Sequence, residues 1–334
     1  MNKRLKQGTT FLLALALAFP LLTLPGARAA NAIETNRKCS VAFNVSGEDN
    51  ELTADGTDII VNLYKVADVD VSGNYTATKD FTGLNVSSVS ADDKDAAASE
   101  WADSAKEAQK MLKESVEPTA TVTLAAGTGS LADLATGLYL VDTPEVVTTN
   151  YTYTFTPYLV SLPTNNYYSN GNDDWIYDLT KEYNSAVGLK PEEHARYGDL
   201  KINKTLAHHN ATTGKKATFV FKIEITPLKG KTETRIESLD FEAAGDSSVT
   251  ITKIPAGATV KVTEVYSGAS YKLISENDQE TTIVATDKDA KGDPASVSFT
   301  NDVDDNMNGG YGVKNNFKLD ENGQYQYTEP AEKN

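Results

Sequence analysis

The chain has 334 residues, with 47 acidic and 31 basic side chains and a formal net charge of −16. A chain this acidic repels the phosphate backbone, so we expect no nucleic-acid partner. The length suffices for about two domains with short appendages. Tyrosines outnumber phenylalanines, 16 to 10, which favours β-strands with polar outer faces.

Residues 1–29 have the three parts of a secretory signal peptide. A basic start is followed by an apolar run and by an A-x-A cleavage site, Ala27-Arg28-Ala29. The alternative is a membrane anchor, which is disfavoured because the apolar run is short and Pro20 interrupts it. We therefore expect a secreted or cell-surface protein whose mature chain begins near Ala30.

Residues 30–180 alternate apolar and polar side chains in several short runs, which predicts a β-domain. One helical segment interrupts these strands, and we predict a helix over residues 91–114. Four of its apolar side chains recur at helical spacing and form one apolar stripe: Trp101, Ala105, Ala108 and Leu112.

The mature chain contains one cysteine, Cys39, so no disulfide can form within it. Cys39 alternates with Val41, Phe43 and Val45 along one strand face, which predicts a small buried core residue. An intermolecular disulfide is the alternative. An exported protein without internal disulfides must gain its stability in another way.

The segments NLYKVADVD, TGLYLVDT, YTFTPYLVSLP and DDWIYDL resemble the N-terminal domain of sortase-assembled Gram-positive pilins. The resemblance implies a pilin-like domain over residues 30–180. It also implies that the linker, residues 181–197, carries a lysine that receives the sortase acyl group of the next subunit. The Tyr-Pro-Lys motif of the family is absent. Lys190 is the nearest equivalent after Trp175, and Lys181 is the second choice.

The second half of the chain places three polar side chains among apolar strand neighbours. In YGDLKINKTL, alternation puts Lys204 on the face that carries Leu200, Ile202 and Leu206. In VKVTEV, Glu264 shares a face with Val260 and Val262. Asn301 follows the alternate apolar residues of VSFTND in the same way. A lysine, a glutamate and an asparagine are therefore each predicted to face the interior.

This trio has a chemical interpretation. Burying an unpaired ammonium costs several kcal/mol, and the usual result is loss of the proton, which makes lysine a nucleophile. Burial also favours the protonated form of a carboxyl group. A protonated Glu264 would then donate to the side-chain carbonyl of Asn301 while Lys204 attacks, so that an amide forms and ammonia leaves. The alternative is a lysine that reaches the domain rim beside an ordinary glutamate and asparagine.

The motifs INKTL at Lys204, VTEVYSGASY at Glu264 and SFTND at Asn301 resemble the CnaB-type domains of Gram-positive surface proteins. The resemblance covers residues 198–303. It implies an isopeptide cross-link between Lys204 and Asn301, with Glu264 in the assisting, catalytic role. We accordingly expect an all-β fold with two tandem Ig-like or CnaB-like β-sandwich domains, the first with a helical insertion.

Residues 304–334 form a polar tail, in which Asn322-Gly323 predicts a β-hairpin. No LPxTG-like sorting signal occurs up to Asn334. The sequence therefore leaves open whether its C-terminus is complete. It also leaves open whether the chain polymerises, only accepts another subunit, is held non-covalently or is released.

Taken together, the sequence predicts a structural subunit of a Gram-positive pilus or fimbria, with other pilin subunits and a sortase as partners. The alternative is a secreted or surface adhesin whose sandwich loops bind a host extracellular protein or glycan. We expect no enzyme, cofactor or metal site. His208 and His209 are adjacent, so on a strand they would point apart and chelate poorly.

Overall fold

The structure is a computed structural model that describes residues 32–45, 51–54, 56–87, 94–113, 115–166, 172–180, 186–210, 216–268, 270–287, 293–304, 316–319 and 324–328. The fold is all-β with one α-helix among these residues, as the sequence predicts. The chain divides into two compact units. The first comprises Met1–Thr148 and Tyr153–Glu193, and the second comprises Thr149–Thr152 and His194–Asn334.

The residues up to Ala195 form fourteen strands among those described. These are β1 Cys39–Val45, β2 Ile59–Val69, β3 Tyr75–Ala77, β4 Ala120–Leu124, β5 Thr128–Leu134, β6 Gly137–Asp142, β7 Val146–Val147, β8 Tyr151–Phe155, β9 Tyr158–Leu162, β10 Thr164–Asn166, β11 Asn172–Ile176, β12 Asp178–Leu179, β13 Ala186–Leu189 and β14 Pro191–Ala195. The largest sheet has the order β3-β2-β6-β9, with β4 also paired to β2. In a second sheet, β12 and β13 pair in parallel with successive parts of β1, and β5 pairs antiparallel with it.

The helix α1 spans Lys94–Met111 and covers one face of the first unit's core. Trp101, Ala105 and Ala108 are buried, which confirms the predicted apolar stripe. The helix ends three residues before the predicted end at 114, because the Leu112 N–H bonds to the carbonyl of Gln109 and closes a tighter last turn. The predicted start at 91 lies outside the described residues.

Cys39 begins β1, where it is fully buried together with Val41, Phe43 and Val45. Burial raises the pKa of the thiol to about 11. A protonated, inaccessible thiol reacts poorly, so the structure favours the core residue over the intermolecular disulfide.

The segment predicted as a linker, residues 181–197, contains ordered strands. β13 pairs with β1 through Val187 and Leu189, both buried, and β14 follows directly. Four residues are too few for periodicity to distinguish a strand from a loop. The segment predicted as a linker therefore contains the strands β13 and β14.

The second unit is a sandwich of two four-stranded sheets. Its strands are β15 Tyr197–Leu206, β16 Ala217–Thr226, β17 Glu233–Phe241, β18 Gly245–Pro255, β19 Thr259–Tyr266, β20 Tyr271–Leu273, β21 Asp278–Thr282 and β22 Ala295–Val303. One sheet has the order β18-β15-β22-β20, and the other has the order β17-β16-β19-β21. The inner faces form a single hydrophobic core, to which Phe219, Phe221 and Phe299 contribute the largest apolar side chains.

The pairing of β15 with β22 decides which side chains can meet. These two strands are parallel neighbours, although they open and close the sandwich in sequence. β15 begins at a close backbone approach, since a Cβ atom on Gly198 would lie 1.8 Å from the carbonyl oxygen of Val284. A larger residue there would push the strand away from its neighbours.

Two further strands follow the sandwich, β23 Asn316–Leu319 and β24 Tyr325–Thr328, and they pair antiparallel. The turn predicted at Asn322-Gly323 lies outside the described residues, as does the predicted signal peptide, residues 1–29. Within the part of the chain that the structure describes, no helix is long and apolar enough to cross a membrane.

Candidate functional site

Lys204 lies on the inner face of β15 and is 1% exposed. Its strand alternates strictly, so that Leu200, Ile202 and Leu206 point into the same core. The local sequence gives this lysine no route to solvent along the strand, because apolar residues occupy the inward positions on either side of it.

Asn301 lies diagonally across the parallel ladder from Lys204. In the register, Lys204 is opposite Phe299 and Leu206 is opposite Asn301, so the lysine and the asparagine are two positions apart on one face. A long side chain can span such a diagonal. Lys204 Nζ contacts Asn301 Oδ1 directly, and both side chains are buried.

Glu264 reaches the same point from the opposite sheet. It lies on the inner face of β19, whose valines at 260 and 262 are fully buried. Its Oε2 is 3.0 Å from Lys204 Nζ, and its Oε1 accepts a hydrogen bond of 2.6 Å from Asn301 Nδ2. The structure thus brings the three sequence-predicted residues into mutual contact.

Aromatic rings surround the cluster. Lys204 Nζ lies 4.5 Å from the centre of the Phe219 ring, and Phe221 and Phe299 pack with their centres 5.2 Å apart. Burial lowers the pKa of Lys204, and the neighbouring Glu264 opposes that effect only in part. The environment therefore favours the neutral, nucleophilic amine relative to a lysine in water.

The orientation of the amide differs from the sequence-based mechanism. That mechanism had Glu264 donating to the carbonyl oxygen of Asn301. In the structure the carbonyl oxygen faces Lys204, and Nδ2 faces Glu264. The carboxyl group therefore lies beside the nitrogen that would leave as ammonia. The sequence determines which residues face inward, but it contains no signal for the rotation of a terminal amide.

Two neighbours of the site were missed by the sequence analysis. Phe219 could have been found, because the alternation of β16 already places it inward. Asn277, whose Oδ1 accepts the backbone N–H of Glu264 at 3.0 Å, could not have been found. It is an exposed polar residue in a turn-rich stretch and has no periodic pattern.

Lys190 is exposed and lies between β13 and β14. It belongs to the first unit, whereas the buried trio belongs to the second. The second choice for the acceptor, Lys181, lies outside the described residues. His208 Nδ1 lies 2.9 Å from Asp302 Oδ1. Among the described residues there is no group of three or more His, Cys, Asp or Glu side chains that could hold a metal ion.

The fold and the site define an all-β protein whose second unit, a β-sandwich, encloses a lysine–glutamate–asparagine cluster. In a comparison with protein families, residues 200–304 match a domain of unknown function (DUF5979). This match covers all three residues of the cluster. No curated protein matches the chain.

Solved structures similar to the chain include Gram-positive pilins, the class that its sequence resembles. The Corynebacterium diphtheriae major pilin SpaA is 10% identical, with 79% of this chain and 100% of that one covered and a TM-score of 0.23. The Streptococcus agalactiae minor pilin GBS52 is 13% identical, with 79% and 96% covered and a TM-score of 0.24.

The TIE protein of Bacillus anthracis is 12% identical over 86% of this chain, with a TM-score of 0.32. This chain spans about 40% of the length of the TIE protein.

Proposed function

We propose that the second unit forms an isopeptide bond between Lys204 and Asn301 with the assistance of Glu264, and that the chain is a structural subunit of a Gram-positive surface pilus. The observation that carries the proposal is the contact between these three side chains in an otherwise apolar core. An ordinary ion pair between Lys204 and Glu264 would not require the amide of Asn301. Burying such an ion pair would also stabilise the domain little.

The reaction needs no external reagent. The neutral amine of Lys204 attacks Cγ of Asn301, and a new C–N bond forms. Glu264 takes a proton from the attacking nitrogen through Oε2 and gives a proton to Nδ2 through Oε1. The old C–N bond then breaks, and Nδ2 leaves as ammonia. The contacts of the two carboxylate oxygens match these two roles.

The bond would give the sandwich the stability that disulfides give other exported domains. Lys204 and Asn301 are 97 residues apart in sequence. By the chain-entropy model used for disulfides, closing a loop of that length stabilises the folded state by about 4.7 kcal/mol. Such a gain is comparable to the whole stability of a marginal domain, and it suits a surface fibre that must resist unfolding.

The proposal also assigns the partners. Lys190 would receive the acyl group of the next pilin subunit from a sortase, because its exposed amine is accessible to an enzyme. The mature chain would be exported and held in a pilus or the cell wall. This assembly role rests on the sequence resemblance together with the exposure of Lys190.

Peptide mapping tests the bond. Trypsin does not cleave after a lysine whose amine is in an amide, so the wild-type chain should give one branched peptide that contains both Lys204 and Asn301. Lys204→Ala and Asn301→Ala should each give linear peptides only. Two linear peptides from the wild-type chain, cleaved normally after Lys204, would contradict the proposal.

A further inference from the structure

The segment Ile274–Gln279, here called the crossover segment, connects the two sheets of the second unit. It leaves β20, in the sheet of Lys204 and Asn301, and enters β21, in the sheet of Glu264. Its first residues attach to β22 immediately before Asn301. The Ile274 N–H donates to the Thr300 carbonyl at 2.9 Å, and the Thr300 N–H donates to Ser275 Oγ at 3.1 Å.

The polar side chains of the crossover segment bond to backbone groups of both strands that carry the site. Gln279 Oε1 accepts the N–H of Ser298, on β22, at 3.0 Å. Asn277 Oδ1 accepts the N–H of Glu264, on β19, also at 3.0 Å. The segment therefore ties the backbone of Glu264 to the strand that presents Asn301.

Glu264 needs such support because regular pairing fails around it. On one side of β19 the ladder has a bulge, since Phe221 pairs with Glu264 while Val220 pairs with Tyr266. On the other side the ladder with β21 ends at the pair Thr263 and Asp278. Bulges redirect side chains, and they are common beside active sites. The side-chain oxygen of Asn277 supplies the acceptor that the next ladder position would have supplied.

We propose that Asn277 is a positioning residue for the cross-linking reaction, an inference that rests on the proposed function of the trio. It acts through the backbone of Glu264 and holds the carboxyl group at its distances from Lys204 Nζ and Asn301 Nδ2. Because Asn277 is exposed, we expect the domain to fold without its side chain. Its loss should therefore slow bond formation without preventing it.

The test measures the rate of bond formation in the full chain. The protein is made by cell-free synthesis, samples are quenched in acid at intervals, and intact mass gives the fraction that has lost ammonia. Asn277→Ala should react about tenfold more slowly than wild type and reach the same final extent. A misplacement of about 1 Å can cost about 10²-fold, and the loss of one backbone hydrogen bond should displace the carboxyl group by less than that. Asn277→Asp keeps the acceptor oxygen and should stay within about threefold of wild type.

Thr263→Ala is the matched control. Thr263 Oγ1 donates to Asp278 Oδ1 at 2.7 Å, so this variant also loses a hydrogen bond between β19 and the crossover segment, one residue from Glu264. It should react at the wild-type rate. In a Lys204→Met background, which cannot cross-link, Asn277→Ala and Thr263→Ala should lower the melting temperature equally, which separates the rate effect from a loss of stability.

The outcomes distinguish the two proposals. Two results would overturn the role of Asn277 alone, provided that the wild type cross-links. In the first, Asn277→Ala reacts within about twofold of the wild-type rate. In the second, Thr263→Ala reacts as slowly as Asn277→Ala. A wild-type chain that keeps its full mass overturns the cross-link and the positioning role together.

Discussion

Replacing Glu264 with glutamine separates the chemistry of the trio from its packing. Glutamine has nearly the same volume and can still hydrogen-bond to Asn301, but it cannot exchange a proton with the attacking amine. The variant should therefore fold and keep its full calculated mass. Lys204 would stay buried without its charge partner, which is unfavourable in itself.

The expected loss of stability follows from the loop that the proposed bond would close. Without the bond, the 97-residue separation between Lys204 and Asn301 is no longer constrained in the unfolded chain. The chain-entropy model gives about 4.7 kcal/mol for this constraint. For a domain of about 100 residues, that loss lowers the melting temperature by roughly 20–35 °C.

Differential scanning calorimetry of the full chain, combined with intact mass, checks this expectation. Glu280→Gln is a matched control, since Glu280 is exposed on β21 and the substitution is the same. The control should lose ammonia and melt as the wild type does. Two results would refute the reasoning: a Glu264→Gln chain that loses ammonia to the wild-type extent, or a full-mass chain that melts within about 5 °C of wild type.

Three other predictions follow from the same structure. The variant Asn301→Ala cannot cross-link, so Lys204 keeps its free amine. Burial lowers the pKa of Lys204 in the folded state. Between that lowered pKa and the usual value near 10.4, the unfolded variant therefore binds more protons than the folded variant. Urea denaturation should therefore show stability rising with pH up to about pH 10, a rise that Lys204→Met should remove from this variant. Co-expression with the cognate sortase and a partner pilin should give covalent ladders. Lys190→Ala should abolish them, and Lys231→Ala, a control at another exposed lysine, should leave them intact. Ladders unchanged by Lys190→Ala would transfer the role to another lysine, and saturable binding of a host ligand without ladders would favour an adhesin. Cys39→Ser should destabilise the first unit by about 1–3 kcal/mol in urea, since it buries a hydroxyl in an apolar site, and non-reducing gels of wild type should show no disulfide dimer.

Strand alternation explains why much of the second unit could be predicted. A period of two is enough to place Lys204, Glu264 and Asn301 inward, and all three are buried. The same periodicity also predicts the buried face of β1 that contains Cys39. These features depend on local sequence, so no knowledge of the partner strands is needed.

Features that depend on the partner strands could not be predicted. β13 is a strand because it pairs with β1, not because of its own pattern. The orientation of the Asn301 amide is set by Lys204 and Glu264 on two other strands. Asn277 bonds to the Glu264 N–H where the β19–β21 ladder ends, opposite a bulge in β19, and nothing in the sequence of β19 marks either feature.

The most direct test of the proposed cross-link in the second unit is the intact mass of the folded full chain. We predict that the wild type weighs one ammonia less than its sequence, and that Lys204→Ala, Asn301→Ala and Glu264→Ala each show the full calculated mass. A folded wild-type chain at its full calculated mass would contradict the proposed cross-link.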